Sequence, residues 1–468
     1  MYRTVRDHFE TFRAQMAVLR DGAGLPRFVE AEFRAFLRCG WLAGGFARFR
    51  CTGCGDDRLV AFSCKGRGFC SSCGGRRMAE RAAHLVDRVL PDVPVRQWVL
   101  TVPFRLRYRL AWDHDLCRAV AGIFGRVVMR ALQQRATWRG VADGRSGAVM
   151  VIQRFGGALN LNLHFHALVL DGVFTRAGED PLVFHETPRL TTLDVAEVLA
   201  AIEPRVARLL ERRDVGESAE DGWQAQAPVL AGLASASVQA TRGSGQRWAD
   251  QAGALDDDLA SDRCLARANG FSLHAGVVVP AGQRVRLERV CRYVLRPAVA
   301  SDRLAVAADG RVLVTLRHGW ADGTAVVALD PITFLGRLAV LVPRPRINLL
   351  LYQGVLGARS AWRAEVVRLA VAPAAADAEP APASAAAPRA VRAGGLRWAE
   401  LMRRTFTFDV LACGRCGGRL QLIALIEQTA VITRILRHLG LPSEVPASCP
   451  PRSPPTSALP PDAAAWTG

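Results

Sequence analysis

No apolar run in this 468-residue chain approaches the roughly 18–20 residues that would cross a bilayer. The opening stretch MYRTVRDHFETF has no apolar h-region, so a signal peptide is not expected either. A soluble, cytoplasmic bacterial protein without a membrane partner is the expectation. Negative charge is also short. Against 61 Lys+Arg stand 43 Asp+Glu, giving a formal charge of +18 and a pI near 10.5, with arginine far outnumbering lysine. That imbalance points to a polyanion, nucleic acid first, and would place the chain at the nucleoid. An arginine-favouring, GC-rich genome would leave the same bias, so motifs must decide. Histidine and tyrosine are scarce, at nine and four residues, which makes each position informative.

What is present is half hydrophobic and long enough for two to four domains around sizeable cores. Residues 1–90 read as a helical and zinc-binding domain, with Phe9, Phe12, Phe28, Phe33, Phe36 and Leu37 forming an apolar face ahead of a cysteine-rich stretch. Residues 91–300 read as an α+β domain of nuclease size in which RQWVLTVPF, GAVMVIQRF and NLNLHFHALVL are strands and LCRAVAGIFGRVVMRALQQ is a helix. Within it, 175–265 reads as an insertion or mobile connection. Residues 301–370 continue this region, 371–396 form an Ala/Pro-rich linker, 397–440 a small C-x-x-C module, and 441–468 a disordered tail.

Twelve cysteines in a reducing compartment argue for metal or buried thiols before disulfides. Cys51-x2-Cys54 and, fifteen residues later, Cys70-x2-Cys73 have the spacing of a four-thiolate structural Zn2+ site, since each knuckle presents two sulfurs to one tetrahedral ion. Cys64 could replace one of the four, and Cys39 is a more distant substitute. Lys65, Arg67, Arg76 and Arg77 crowd the segment and suggest a phosphate-facing surface. Cys413-x2-Cys416 is half a site and is assigned no role.

On a strand, His164 and His166 share a face with Asn162, while Leu163, Phe165, Ala167 and Val169 fill the other. Two imidazoles about 7 Å apart along a strand can converge on one cation. Asp171-Gly172 is expected to close the strand as a hairpin turn. A catalytic Mg2+ or Mn2+ needs a third ligand, for which His274 and Gln153 both stand on neighbouring strands, and it needs an open position for substrate.

Of the four tyrosines, Tyr293 lies in the helix RLERVCRYVLR, with Arg286, Arg289 and Arg296 on its face opposite Leu287, Cys291 and Val294. Pro297 stops that helix. Cations beside a phenol favour its anion and can make it a nucleophile toward a phosphodiester. Tyr108 and Tyr352 suit packing or base stacking. Trp112, Trp138 and Trp320 are further candidates for stacking on unpaired bases.

Taken together, CGWLAGGFARFRCTGCG, AFSCKGRGFCSSC, VIQRFGGALNLNLHFHALVLDGVF, FSLHAGV, LERVCRYVLRPAVA, LVPRPRINLLLYQGVLGARSAWR and CGRCGGRLQLIALIE resemble, in order, the HUH rolling-circle transposases of the insertion sequence 91 type. The resemblance implies an HUH-endonuclease-like antiparallel sheet with flanking helices, an N-terminal zinc-binding domain and a helical C-terminal region. It further implies Zn2+ on Cys51, Cys54, Cys70 and Cys73, a metal site at His164 and His166, and Tyr293 joining covalently to the 5′ end of nicked DNA. Position 289 is Arg and 297 is Pro, so the chain resembles the single-tyrosine branch. The expected activity is nicking and transfer of single-stranded or hairpin element ends, with Arg286, Arg289, Arg296, Lys65 and Arg67 on the DNA. The competing reading is a non-enzymatic zinc-knuckle DNA-binding protein or a decayed transposase.

Overall fold

A computed structural model describes residues 1–18, 24–213, 227–239, 264–320, 322–370, 398–407 and 409–452. Two helices open the chain, α1 (Tyr2–Val18) and α2 (Arg27–Arg38). Their three-and-four spacing turns Val5, Phe9, Phe12, Val29 and Phe33 inward, with the Phe9 and Phe33 rings stacked at 4.9 Å. A hairpin of β1 (Phe46–Cys51) and β2 (Asp57–Ala61) follows, then α3 (Ser71–Arg88).

The centre is a six-stranded antiparallel sheet. Its members are β3 (Val95–Thr101), β4 (Gly147–Phe155), β5 (Leu161–Leu170), β8 (Leu265–Ala268), β9 (Phe271–Val279) and β13 (Leu350–Gly354), in the order β13-β4-β5-β3-β9-β8. The period-two alternation of β5 serves two cores. Leu161, Leu163, Phe165, Ala167 and Val169 face the helices α4 (Phe104–Trp112) and α5 (His114–Thr137), whereas Leu168 and Leu170 face α3 and the helix α8 (Arg284–Val294) that carries Tyr293. The α+β class and the antiparallel sheet agree with expectation, and among the described residues no helix is long and apolar enough to cross a membrane.

Three expectations change. Asp171-Gly172 does not turn β5 back on itself. Instead the chain leaves the main sheet there, and β6 (Gly172–Thr175) pairs with β7 (Val183–Glu186). Asp171 is buried and takes both bonds of a bidentate pair with Arg96, Nε to Oδ1 at 2.9 Å and Nη2 to Oδ2 at 2.8 Å. Gly172 is required by closeness, because a Cβ there would lie 2.2 Å from the His185 carbonyl oxygen. Asp171→Ala leaves the Arg96 guanidinium buried without its carboxylate, so it should destabilise the fold by about 3–5 kcal/mol. Chemical denaturation reads this directly, and a loss below about 1 kcal/mol would rule the pair out as a structural anchor.

Second, much of the proposed insertion is built into the core. The helix α6 (Thr192–Arg212) packs on β8 and β9, and α7 (Pro228–Gln239) contributes Leu230, Leu233 and Ala234 to the core. Ser237 accepts a hydrogen bond from the Leu161 amide at 2.9 Å. Residues 214–226 and 240–263 lie outside the described ones.

Third, the small C-x-x-C module is joined to the N-terminal hairpin. Residues 301–370 hold a small sheet of β10 (Leu304–Val306), β11 (Val312–Thr315) and β12 (Val326–Leu329), the helices α9 (Pro331–Leu341) and α10 (Arg363–Arg368), and the edge strand β13 of the main sheet. After the linker region, which lies outside the described residues, come α11 (Trp398–Phe406), β14 (Leu420–Ile426) and α12 (Thr429–His438). β14 pairs antiparallel with β1, making a three-stranded sheet β14-β1-β2 from both ends of the chain. The expected disordered tail is ordered up to residue 452, where the Cys449 amide donates to the Arg6 carbonyl and the Arg452 amide to Thr11 Oγ1.

Candidate active site and zinc centres

The four cysteines assigned to one ion fall into two tetrads: Cys39, Cys64, Cys70 and Cys73, and Cys51, Cys54, Cys413 and Cys416. The reason is the length of a strand. Cys51 and Cys54 sit at the tip of the β1–β2 hairpin, while Cys39, Cys64 and the start of α3 gather at its base, about 17 Å away along five residues of strand. In the base tetrad, sulfur separations of 3.8 Å (Cys39–Cys70 and Cys39–Cys73) and 3.4 Å (Cys64–Cys73) approach the ~3.8 Å of thiolates around a tetrahedral zinc. The Cys64 amide donates to Cys39 Sγ and the Gly66 amide to Cys64 Sγ, both at 3.3 Å, steadying thiolate charge. These donor sets fit structural Zn2+. The local motif could not foretell the split, because Cys51–Gly55, Cys70–Gly74 and Cys413–Gly417 all read C-x-x-C-G.

The basic residues of this segment are partly structural. Arg77 donates to the carbonyls of Gly66 and Lys65 at 2.8 Å each, and Arg67 donates to the Ile347 carbonyl at 2.7 Å, tying the knuckle to the segment before β13. Lys65 is exposed and has a positive φ of 54°.

His164 and His166 stand on the face of β5 that looks toward α8. Their rings are 4.9 Å apart, and the Tyr293 ring stands edge-on to His166 at 6.0 Å between centroids. The structure therefore brings these three residues together. His164 and His166 are buried, and burial pushes the imidazole of His164 down to about 3 and that of His166 well below its ordinary range. Both are thus neutral, the form that offers a lone pair to a metal. His164 Nδ1–H donates to the Asn162 carbonyl at 3.0 Å, leaving Nε2 for a ligand.

The register sets the two candidates for a third ligand at different distances from the pair. Gln153 on β4 lies directly opposite His164 on the next strand. His274 pairs with Val99, which also pairs with His166, so a whole strand separates the two histidines, about 9.6 Å at 4.8 Å per strand. Among the described residues the thiol tetrads are the only groups of three or more His, Cys, Asp or Glu donors within 4.8 Å of one another, so His274 does not join the histidine pair in such a group.

Gln153 Nε2 donates to the Val294 carbonyl at 2.6 Å, while its Oε1 is buried with no protein partner; His166 Nε2 and Gln97 Oε1 are likewise buried and unpartnered. Unsatisfied buried polar atoms are costly unless something fills the gap. Gln97 Nε2 lies 3.0 Å from His166 Nδ1. Turning that isosteric amide over lets Oε1 accept from Nδ1–H, which frees the His166 Nε2 lone pair. Two imidazole nitrogens and one amide oxygen then fit a divalent cation with open positions.

The arginine face around Tyr293 is smaller than expected. Arg296 lies over the ring, at 4.2 Å from guanidinium carbon to ring centroid, and its Nη1 donates to the Tyr293 carbonyl at 2.9 Å. Arg289 is exposed and Arg286 donates to Gln283 Oε1, because Tyr293 turns inward with Val290 and Val294. Of the tryptophans, Trp112 is buried, Trp320 half-buried, and Trp138 exposed at the end of α5 on the opposite side of the sheet.

Comparison with protein families gives two matches. A transposase zinc-binding domain covers residues 4–102, and the Y2_Tnp transposase family covers residues 147–363. No curated protein and no solved structure matches the chain.

Proposed function

Because the chain belongs to the transposases of the insertion sequence 91 type and carries their N-terminal zinc-binding domain, we propose that it nicks single-stranded DNA at element ends through a covalent 5′-phosphotyrosine at Tyr293. The observation that carries this reading is the approach of Tyr293 to the histidine pair, 6.0 Å between the Tyr293 and His166 rings. His164, His166 and Gln153 would hold Mg2+ or Mn2+. When bound, such an ion withdraws charge from a non-bridging phosphoryl oxygen.

The remaining steps belong to the protein. Arg296, over the phenol ring, sets a positive charge beside the nucleophile. Tyr293 Oη then bonds to phosphorus as the bond to the 3′-oxygen breaks, and the departing 3′-oxygen takes up the phenol proton. Burial of the site excludes competing water. Attack of a free 3′-hydroxyl on the phosphotyrosine reverses the chemistry and transfers the strand, so one tyrosine suffices for both halves. Exposed Arg289 and Lys65, together with Arg286 and Arg67, would grip phosphate.

The test is incubation with Mn2+ and single-stranded DNA carrying an element end. A protein–DNA adduct that survives denaturation should map to Tyr293 by peptide mass. His164→Ala should lower adduct formation by about 10²-fold or more while leaving the zinc content unchanged. An adduct at Tyr108 or Tyr352, or nicking with no adduct at all, would overturn the proposal.

A further inference from the structure

We infer that Cys51, Cys54, Cys413 and Cys416 hold a second zinc ion, separate from that of the base tetrad, and that this ion staples the chain's C-terminal segment to its N-terminal domain. The zinc-binding-domain match ends at residue 102, so it includes Cys51 and Cys54 but not the partners the structure gives them.

The two knuckles are built alike. The Gly53 amide points at Cys51 Sγ and the Gly418 amide at Cys416 Sγ, each at 3.4 Å, and Gly55 and Gly417 both turn with φ of +73°. Across the site Cys51 Sγ lies 3.5 Å from Cys416 Sγ, and Cys54 Sγ 3.8 Å from Cys413 Sγ, distances that suit ligands of one tetrahedral ion and are too long for disulfide bonds. There is little room for anything larger. A Cβ on Gly418 would come within 3.1 Å of Cys51 Sγ. Four sulfurs and no oxygen or nitrogen donor select a borderline-soft ion, and a closed set of four marks a structural site.

The C-terminal segment needs such a staple. Beside the zinc knuckle and the β14–β1 ladder, its apolar contact with the hairpin is confined to two small clusters, Phe46 with Ile432 and Leu436, and Cys51 and Cys413 with Leu420. Cores of that size do not hold a fold without a metal or a disulfide. Pairing of β14 with β1 aligns Leu420 with Cys51, which sets the two knuckles face to face. On the near side of the same segment, Arg404 of α11 donates to Glu288 Oε2 at 2.8 Å and to Asp87 Oδ1 at 2.9 Å, joining α3 to the helix that carries Tyr293. The staple therefore keeps Arg404 in reach of that helix.

Native mass spectrometry of the full chain should find two zinc ions, one in Cys413→Ser/Cys416→Ser, one in Cys70→Ser/Cys73→Ser, and none in the combined variant. In Cys413→Ser/Cys416→Ser, limited proteolysis should cut within residues 398–452 at least about tenfold faster than in the unaltered protein, because local opening governs cleavage. Cys416→His, which keeps a Cys3His set, should retain both the second ion and the protection, separating metal loss from general misfolding. A single zinc in the unaltered chain, two zinc ions retained in Cys413→Ser/Cys416→Ser, disulfides in place of the second ion, or unchanged proteolysis after its loss would each overturn the inference. None of these readouts depends on strand nicking, so they stand or fall apart from the tyrosine chemistry.

Discussion

Tyr293→Phe should lower strand nicking by roughly 10⁴-fold or more and abolish the adduct, while leaving DNA affinity within about twofold of the unaltered protein. The substitution removes one oxygen and keeps the ring. The edge-on packing against His166 and the cation contact with Arg296 should both survive. What is lost is the atom that would bond to phosphorus. Water could enter in its place only against the burial of the site, where His164, His166 and Tyr293 are each less than a tenth exposed. Nicking assays with labelled strands, run beside a binding titration, separate the two effects. Equal loss of binding would make Tyr293 a recognition residue, and persistent nicking would make water the nucleophile.

The second large effect is expected at Cys73→Ser. Structural zinc in small thiolate sites is worth on the order of 10–16 kcal/mol of apparent binding free energy, much of it spent on folding. Cys73 lies in the first turn of α3, and the adjacent Gly74 packs so closely on Pro297, just past the tyrosine helix, that a Cβ would lie 2.6 Å from the proline Cβ. Releasing the ion frees the start of α3 and loosens the end of the helix bearing Tyr293. The variant should lose one zinc, melt its N-terminal domain at a much lower temperature, and form little adduct although every residue of the tyrosine site is intact. Zinc content together with hydrogen exchange along α3 checks this. A variant whose melting temperature stays within about 2 °C of the parent would mean the base tetrad carries no folding energy.

Much of this molecule is legible along the chain because the signals are local. Alternation in NLNLHFHALVL places both histidines on one face of a strand whatever that strand pairs with, since the period of a β-strand is a property of the backbone. The helix that presents Tyr293 is likewise set by its own spacing and by Pro297 beyond it. The zinc knuckles announce themselves as C-x-x-C. In each case the information lies within a few residues.

Partners distant in sequence are another matter. Adjacency along the chain suggested Cys51 and Cys54 with Cys70 and Cys73, but the length of the hairpin separates those pairs, and strand pairing supplies Cys413 and Cys416 from some 360 residues away. Gln153 and His274 are equivalent to a reader of strands; only the order β4-β5-β3-β9 shows that one adjoins His164 while the other stands a strand beyond His166. Helical spacing set three arginines beside Tyr293, yet packing turned the tyrosine into the core, with Arg296 over its ring and Arg289 left exposed. By itself the sequence determined which side chains have the chemistry for a nucleophile, a cation site and thiolate knuckles, because residue type and local periodicity are written in it. Only the tertiary structure decided which of them meet, because register, strand length and burial are set by contacts between segments that the chain keeps far apart.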